Sequence, residues 1–414
     1  MKIGMFTDTY RPQINGVVTY VSSVSKELLR QKNKVEIFAP ALEDYIDSDG
    51  YTHRLPAVKG LSSFDPDQRY MVPIPNKEFR RMLASQYDII HAHTAGPVSV
   101  LGLEQAKTKG VPYVLTYHTL LTAYLHYIFN GKIVKPRMIE VATKIYSNLC
   151  DALIAPSQKI KDELTRYGVT KPVFVLPNSV DIEKFSHSSK GYLRKKYNIT
   201  GKILLFVGRV AREKNVEFLI KSFRLIAQKD KETVLVIVGN GPEMESTKKL
   251  VNRFGLTAKV IFTGAVPMNE VNQVYADADI FTFASVSEVH PMVVLEAAVS
   301  GLPIVTVEDM AYKEAVKNGI NGFQTRLDEQ DYASAVLDLL ENEAARKKFA
   351  LASKKLGMTE FSIQNHVAKL IELYQAVIDN YHPSRINGAL TQIAKLREMA
   401  KVAFSVNKLK SMLE

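Results

Sequence analysis

The chain has 414 residues, of which 46% are hydrophobic and 23% charged, and this composition excludes a disordered or fibrous protein and suits two or three domains. Its net charge of +11 favours anionic partners, but no zinc-finger spacing, RNP-type strand or helix-turn-helix signature supports nucleic acid. The single cysteine, Cys150, cannot form an internal disulfide, which is typical of a reducing compartment. We find neither a signal peptide nor an apolar run of about 18 to 20 residues that would span a bilayer.

The first half of the chain alternates short apolar runs with segments of helical periodicity. The predicted strands are Lys2–Thr7, Val35–Ala39, Tyr87–His93, Tyr113–His118, Ala152–Pro156 and Val173–Pro177. Amphipathic helices are predicted between several of them, such as Val17–Lys32 and Lys159–Tyr167. Nearly continuous apolar strands that alternate with helices predict a parallel sheet buried on both faces.

The same pattern restarts after the polar segment Asn178–Gly201, which we interpret as a connection containing a short basic helix at Tyr192–Tyr197. The predicted strands are Ile203–Gly208, Val234–Gly239, Lys259–Thr263, Ile280–Ala284 and Ile304–Val307, and the predicted helices are Val216–Gln228, Glu243–Phe254, Asn269–Ala276 and Pro291–Ser300. Beyond Asp328 the pattern is almost entirely helical. The sequence therefore predicts an α/β fold with two Rossmann-like doubly wound domains, 1–180 and 200–380, facing a cleft, and a basic helical tail, 382–414.

Gly16 opens the first predicted helix, where a glycine lets a ligand approach the backbone and the helix N-terminus offers N–H groups to an anion. A simple turn glycine is the alternative interpretation. The G-x-G-x-x-G fingerprint of nicotinamide enzymes is absent from this turn, and Gly239-Asn240-Gly241 is only a lone G-x-G.

Two cations follow the first strand of the second half. Arg209 lies where this strand ends, and Lys214 lies five residues further on. Such a pair at the carboxyl end of a strand suits a diphosphate held without a metal. Solvated loop charges are the alternative interpretation.

Two carboxylates flank the start of a later helix. Glu288 lies in the loop after a predicted strand, and Glu296 falls inside an otherwise apolar helix, where it needs a ligand or a structural partner. Pro291 suits the first helical turn, so the amides around Met292 and Val293 are candidates to face a phosphate or sugar oxygen. Two carboxylates also suit the acid–base pair of a hydrolase, but the sequence does not define the separation on which that chemistry depends.

Gly16, the segment Gly208–Lys214 and the E-x7-E pattern from Glu288 to Glu296 together resemble the retaining glycosyltransferases of family four. These enzymes have a twin-Rossmann (GT-B) fold and use nucleotide sugars without a metal or other cofactor. The resemblance covers residues 1 to about 381, with the motifs in the family's order and spacing.

The resemblance implies a role for each matching position. The implied donor contacts are Gly16 against the diphosphate, Arg209 and Lys214 on the leaving phosphate, Glu288 on the sugar hydroxyls and Glu296 on the ribose hydroxyls. His118 matches the family's histidine beside the reacting sugar, although a histidine in this position also suits a hydrogen-bonded core residue. Electrostatic stabilisation of the leaving diphosphate would then carry most of the catalysis, and no protein nucleophile is assigned.

The loop after Glu288 departs from the family pattern. Many members have a glycine and an aromatic residue where this chain has His290 and Pro291. We still expect His290, Met292 and Val293 to contact the donor, mainly through their backbone, while the identity of the sugar stays open.

The opening segment Phe6–Val17 is similar to family members that glycosylate membrane lipids, particularly diacylglycerol glucosyltransferases and phosphatidylinositol mannosyltransferases. Basic residues stand beside aromatic or apolar ones at 76–83, 120–146 and 382–414, which suits an anionic membrane surface. Helices that pack their apolar side on their own domain are the alternative.

We therefore predict a cytoplasmic enzyme, peripheral on the inner face of the cell membrane, that transfers glucose from UDP-glucose to diacylglycerol. Mannosyl or galactosyl transfer, a soluble sugar acceptor and a nucleotide-sugar epimerase are the alternatives, and the oligomeric state stays open.

Overall fold

The computed structural model describes residues 1–43, 45–59, 69–120, 122, 135–186, 188–267 and 269–383. These residues form two compact units, and the chain passes from the first to the second between Leu176 and Pro177 and returns between His366 and Val367. The predicted domain limits were residues 180, 200 and 380. The structure instead assigns residues 177–199 to the second unit and residues 367–381 to the first.

The first unit is built on a parallel sheet of seven strands. Its strands, together with a separate antiparallel pair β4 and β5, are β1 (Lys2–Phe6), β2 (Lys34–Pro40), β3 (Thr52–Leu55), β4 (Ala57–Lys59), β5 (Arg69–Met71), β6 (Ile89–Ala92), β7 (Tyr113–Thr116), β8 (Ala152–Ala155) and β9 (Val173–Val175). The order across the sheet is β3-β2-β1-β6-β7-β8-β9. The direction of winding therefore reverses between β1 and β6, and open α/β sheets bind ligands at such a reversal.

Five described helices lie entirely within the first unit: α1 (Gly16–Arg30), α2 (Lys77–Ala84), α3 (Pro97–Lys109), α4 (Pro136–Ser147) and α5 (Gln158–Arg166). The Asp8 carboxylate accepts hydrogen bonds from the backbone N–H groups of Gly96 (3.1 Å) and Val98 (2.7 Å) at the start of α3. A carboxylate at this end of a helix satisfies amides that have no partner within the helix. Asp8 follows β1 and Gly96 follows β6, so this cap holds together the two loops at the reversal.

The second unit contains a parallel sheet of six strands: β10 (Ile203–Val207), β11 (Val234–Val238), β12 (Val260–Gly264), β13 (Ile280–Phe283), β14 (Ile304–Val307) and β15 (Gly322–Thr325). The order across the sheet is β12-β11-β10-β13-β14-β15, which is the Rossmann order. Every residue of β10 and β13 is buried, as expected for central strands covered on both faces. The winding reverses between these two strands.

The helices of the second unit are α6 (Ile182–Ser186), α7 (Tyr192–Tyr197), α8 (Val216–Lys229), α9 (Met244–Arg253), α10 (Val271–Asp277), α11 (Met292–Val299), α12 (Glu329–Glu341) and α13 (Glu343–Glu360). The last described helix, α14 (Ile363–Asp379), begins in the second unit and continues into the first. The all-helical pattern predicted beyond Asp328 is therefore confirmed as far as residue 379.

The segment predicted as an interdomain connection packs into the second unit because Asp277 anchors it. The Asp277 carboxylate accepts hydrogen bonds from the backbone N–H groups of Gly191 (2.5 Å) and Leu193 (2.6 Å). These bonds cap the short helix α7, whose predicted bounds agree with the structure. The carboxylate is almost fully buried, so these amides satisfy its need for partners.

Four strands were missed by the prediction: β3, β4, β5 and β15. Each has only three or four residues, and most of their side chains are half-buried or exposed rather than forming an apolar run. Two of the predicted membrane-facing segments lie partly outside the described residues. In the segment 120–146 these are residues 121 and 123–134, and in the tail 382–414 they are the residues after 383.

Candidate functional site

The predicted cations occupy the loop that leaves β10 at the reversal of the second sheet. Arg209 is half-buried immediately after this strand, and Lys214 ends a short 3-10 turn, Arg212–Lys214. The Ser285 hydroxyl, in the loop after β13, donates a hydrogen bond of 2.9 Å to the carbonyl oxygen of Glu213. This bond ties the turn that carries Lys214 to the neighbouring strand's loop.

Two glycines allow the loop after β11 to pass against the loop that carries Arg209. A Cβ atom on Gly239 would lie 2.0 Å from the carbonyl oxygen of Gly208, and one on Gly241 would lie 2.2 Å from that of Val210. Gly239 also has a φ of +132°, which side chains rarely adopt. The lone G-x-G of the sequence thus serves close packing of these loops, which is a role that the sequence alone did not indicate.

Lys214 and Glu288 form an ion pair across the reversal. Lys214 Nζ lies 2.5 Å from Glu288 Oε1, and the two side chains are only 17% and 9% exposed. The same Nζ lies 5.7 Å from the centroid of the Phe283 ring. The cation proposed for the diphosphate is therefore paired with the carboxylate proposed for the sugar.

Helix α11 follows Glu288 in the chain after a short loop. It begins at Met292, directly after Pro291, and no side chain caps its first turn. Met292 and Val293 are half-buried, and amides in the first turn of a helix have no partner within the helix. These amides therefore stay the predicted candidates to face an anion or a sugar.

Glu296 has the structural partner that its burial requires. It is 7% exposed, and its Oε2 accepts a hydrogen bond of 2.7 Å from the Tyr275 hydroxyl on α10. Burial raises the pKa of the Glu296 carboxyl, while the bond from Tyr275 and the charge of Lys184 act in the opposite direction. Glu296 thus has the structural partner that was one of its two predicted alternatives. Only its Oε2 is used by Tyr275, so Oε1 is a candidate to accept from a ligand.

His290 is buried in the same loop. Its carbonyl oxygen accepts a hydrogen bond of 2.9 Å from the Asn178 side chain, and its ring packs 5.9 Å from that of Phe361. Neither ring nitrogen has a hydrogen-bond partner among the described residues. Burial and the nearby His366 lower the pKa of His290 to about 3, so the ring is neutral at pH 7. Its side chain therefore belongs to the core of the second unit.

Gly16 lies at the N-terminus of α1 in the first unit. It is exposed, and the preceding Asn15 accepts a hydrogen bond of 3.0 Å from the N–H of Val18. The helix therefore begins after the loop that follows β1, beside the reversal of the first sheet. This location suits both the anion-facing glycine and the simple turn glycine.

His118 lies just beyond β7 within a group of rings in the first unit. Its Nε2 is 3.4 Å from His93 Nδ1, and its ring centroid is 4.7 Å from that of Tyr20. Burial and the neighbouring histidines hold the pKa of His93 well below its usual range, so that ring is neutral. His91, in contrast to His118, is a buried core histidine, and its Nε2 forms a hydrogen bond of 2.7 Å with the Thr116 hydroxyl.

The structure thus pairs Lys214 with Glu288. Arg209 lies in the loop after β10, the start of α11 follows the neighbouring strand β13, and Gly16 and His118 lie in the first unit. Sequence reasoning missed Tyr275 and Ser285, which hold Glu296 and the Lys214 turn in place. Neither residue carries a local signal, since a buried hydroxyl looks the same in sequence whether or not it supports a site.

Two family profiles match most of the chain. The profile described as Glycosyltransferase Family 4 matches residues 14–184, and the one described as Glycosyl transferases group 1 matches residues 190–356. Among curated relatives, the alpha-monoglucosyldiacylglycerol synthase of Streptococcus pneumoniae is 29% identical over 92% of this chain and 87% of its own length. The protein of the same name from Acholeplasma laidlawii is 28% identical over 78% of this chain and 84% of its own.

Solved structures share the fold. HepE of Anabaena, solved in complex with UDP, superposes with a TM-score of 0.70 at 18% identity and covers 91% of this chain and all (100%) of its own. Sucrose-phosphate synthase from Thermosynechococcus elongatus has a TM-score of 0.72 at 17% identity, over 91% and 99% of the two chains. Among the described residues, no helix combines the length and apolar character needed to cross a bilayer.

The predicted resemblance is confirmed. The matching profiles describe glycosyltransferases, which favours glycosyl transfer over the hydrolase and epimerase alternatives. The two profiles follow each other in the order of the two Rossmann-like units. This chain belongs to glycosyltransferase family four and is a glycosyltransferase with the GT-B fold.

Proposed function

We propose that the chain is a retaining hexosyltransferase that moves glucose from UDP-glucose to 1,2-diacylglycerol and forms alpha-glucosyl diacylglycerol. The observation that carries the proposal is the pairing of Lys214 with Glu288 beyond the carboxyl ends of the neighbouring strands β10 and β13. Ligands of open α/β sheets bind at this kind of reversal. A diphosphate and a sugar on one ligand would together replace the ion pair.

The proposed reaction depends on charge rather than on a protein nucleophile. As the bond between the sugar carbon and the diphosphate breaks, Arg209 and Lys214 neutralise the developing charge of the leaving group. The acceptor hydroxyl attacks from the same face, and its proton passes to the leaving phosphate. With these two cations on the leaving group, the proposed step uses no metal. Glu288, released from Lys214, accepts hydrogen bonds from the sugar hydroxyls, and His118 would lie beside the reacting sugar.

The names of the relatives support a lipid acceptor, because two alpha-monoglucosyldiacylglycerol synthases align with most of this chain. Helix α4 offers independent support. Met138 is 56% and Val141 39% exposed, with Arg137 and Lys144 exposed on the same helix. Apolar side chains set among cations suit an anionic bilayer surface. We propose that the enzyme binds the inner face of the cell membrane there.

Helix α2 repeats this arrangement on a smaller scale. Lys77, Arg80 and Arg81 are exposed around Leu83, which is itself 46% exposed. One of these cations, Arg81, is partly neutralised by Glu36 at 3.3 Å. The helix therefore adds less positive charge than its sequence suggests.

Mannosyl transfer is the second candidate. A GDP-mannose-dependent alpha-mannosyltransferase of Corynebacterium glutamicum is 24% identical over 96% of this chain and 94% of its own length. His290 and Pro291 stand at the positions where the family pattern varies, so the sugar has to be determined by experiment.

The test is release of nucleoside diphosphate from UDP-glucose, with and without liposomes that contain diacylglycerol and anionic lipid. We expect turnover only with the lipid, together with a glycolipid product. Equal turnover without lipid would refute the lipid acceptor. Turnover with GDP-mannose or UDP-galactose in place of UDP-glucose would replace the proposed donor.

A further inference from the structure

Tyr275 holds Glu296 through a short hydrogen bond. The Tyr275 hydroxyl donates to Glu296 Oε2 at 2.7 Å, whereas its next acceptor, the carbonyl oxygen of Val293, is 3.4 Å away. A phenol has one proton to donate, and the shorter bond to a carboxylate is the stronger one. The residues lie on different helices, α10 and α11, so the bond fixes the carboxylate from outside its own helix.

The ring of Tyr275 is itself immobilised. It is fully buried, with ring centroids 5.8 Å from Phe185 and 5.9 Å from Phe281. Burial and the charge of Glu296 raise the pKa of the phenol well above its usual range, so the hydroxyl stays protonated as a donor. Among the described residues, no other group donates a hydrogen bond to Glu296. Its second oxygen, Oε1, is therefore left to a ligand.

We infer that Tyr275 is a positioning residue for nucleotide recognition: it orients Glu296 so that Oε1 accepts hydrogen bonds from the ribose hydroxyls of the donor. The inference rests on the proposed function, since it assumes a nucleotide-sugar donor at this sheet. Because the hydrogen bond from Tyr275 already restricts the Glu296 side chain, less side-chain entropy is lost when a ligand binds. The gain applies only to ligands that carry the hydroxyls.

The charge state of Glu296 adds a second effect of the same bond. Burial raises the pKa of this carboxyl, and the bond from Tyr275 and the charge of Lys184 oppose that rise. The ionised form accepts hydrogen bonds strongly through both oxygens, whereas the protonated form carries a donor on one of them and is a weaker acceptor. Without the Tyr275 hydroxyl, protonation would begin at a higher pH, and nucleotide binding would weaken earlier as the pH falls.

The test compares the affinities of UDP and 2′-deoxy-UDP, measured by calorimetry on the full-length protein. For wild type we expect about tenfold tighter binding of UDP, the size of one hydrogen bond to a charged group. Tyr275→Phe removes one oxygen atom, and we expect it to weaken UDP about tenfold and 2′-deoxy-UDP by less than about threefold. The acid limb of UDP binding should move to higher pH in this variant.

Tyr332→Phe is the matched control. Tyr332 is equally buried in the same unit, and its hydroxyl donates to the Val305 carbonyl at 2.8 Å and accepts from the N–H of Phe283 at 3.0 Å. Its loss should lower stability without changing the ratio of the two affinities. Thermal unfolding of both variants identifies any general loss of structure.

The combination Tyr275→Phe with Glu296→Gln provides a second measurement. Once the carboxylate is gone, we expect the tyrosine change to have no further effect on UDP binding. If Tyr275→Phe leaves the ratio of the UDP and 2′-deoxy-UDP affinities unchanged, whether or not both ligands bind more weakly, the inference is overturned and the proposed function stays intact. Failure of wild type to bind any nucleoside diphosphate would overturn both.

Discussion

Replacing Lys214 tests the proposed donor site most directly. Lys214→Met keeps the unbranched side chain apart from its last atom and removes the charge that lies 2.5 Å from Glu288 Oε1. Because Glu288 is only 9% exposed, its carboxylate loses its counter-ion without gaining much water. Removing one partner of such a buried pair lowers the free energy of unfolding by about 3 kcal/mol. Combining Lys214→Met with Glu288→Gln should recover most of this loss, as denaturant unfolding of the four proteins would measure.

The same change should also slow the reaction. Losing one preorganised group that stabilises transition-state charge costs on the order of 10²- to 10³-fold in turnover. The assay is release of UDP from UDP-glucose at saturating donor, on liposomes that contain diacylglycerol. In the double variant Lys214→Met with Glu288→Gln, turnover should stay low even though stability recovers, because the cation is still missing.

Lys221→Met is the matched control. Lys221 pairs with Glu217 at 2.8 Å on α8 of the same unit, but the two side chains are 37% and 67% exposed. Exposed pairs of this spacing contribute about 0.3–0.5 kcal/mol, so both stability and turnover should stay near wild type. Turnover of Lys214→Met within about threefold of wild type, which is under 1 kcal/mol of barrier, would refute the role of Lys214.

Three further predictions concern pH, packing and the membrane. The pKa of His290 is about 3 in the folded protein and about 6.5 in the unfolded chain. The free energy of unfolding of wild type should therefore decrease as the pH falls from about 6.5 towards 3. His290→Phe should lack this decrease, as denaturant unfolding at about pH 7 and about pH 4.5 would measure. Gly241→Ala would place a Cβ 2.2 Å from a backbone carbonyl oxygen and should lower the melting temperature far more than Gly255→Ala, which meets nothing within 4 Å and has only a left-handed φ to disfavour it. Met138→Asp on α4 should weaken sedimentation with anionic liposomes, whereas Leu351→Asp, at an exposed position (72%) on α13, should not; equal effects would refute the membrane surface.

Local pattern was sufficient for most of the elements. The predicted strand Ile304–Val307 and helix Tyr192–Tyr197 agree with the structure at both ends, and most other predicted bounds differ by one or two residues. These elements combine apolar runs or helical periodicity with clear flanking residues, and both signals lie within a few neighbours in the chain. Short edge strands such as Thr52–Leu55 carry no comparable signal.

The candidate site was only partly predictable. The sequence identified Lys214 and Glu288 as candidate donor contacts, and it identified Glu296 as a residue that needs a partner or ligand because it lies inside an apolar helix. It did not identify the partners, since Lys214 and Glu288 are 74 residues apart and Tyr275 lies 21 residues before Glu296 on another helix. Such pairs exist only once the sheet order has placed their elements side by side.

The sequence by itself determined the α/β alternation, the family resemblance and the residue types available for charge and phosphate chemistry. The tertiary structure decided the partners of those residues: Lys214 pairs with Glu288, and Tyr275 donates a hydrogen bond to Glu296. It also decided why Gly239 and Gly241 are needed, since two loops approach within a distance that excludes a Cβ. Periodicity is a property of neighbours along the chain, whereas the pairing of a buried charge depends on residues that only the fold brings into contact.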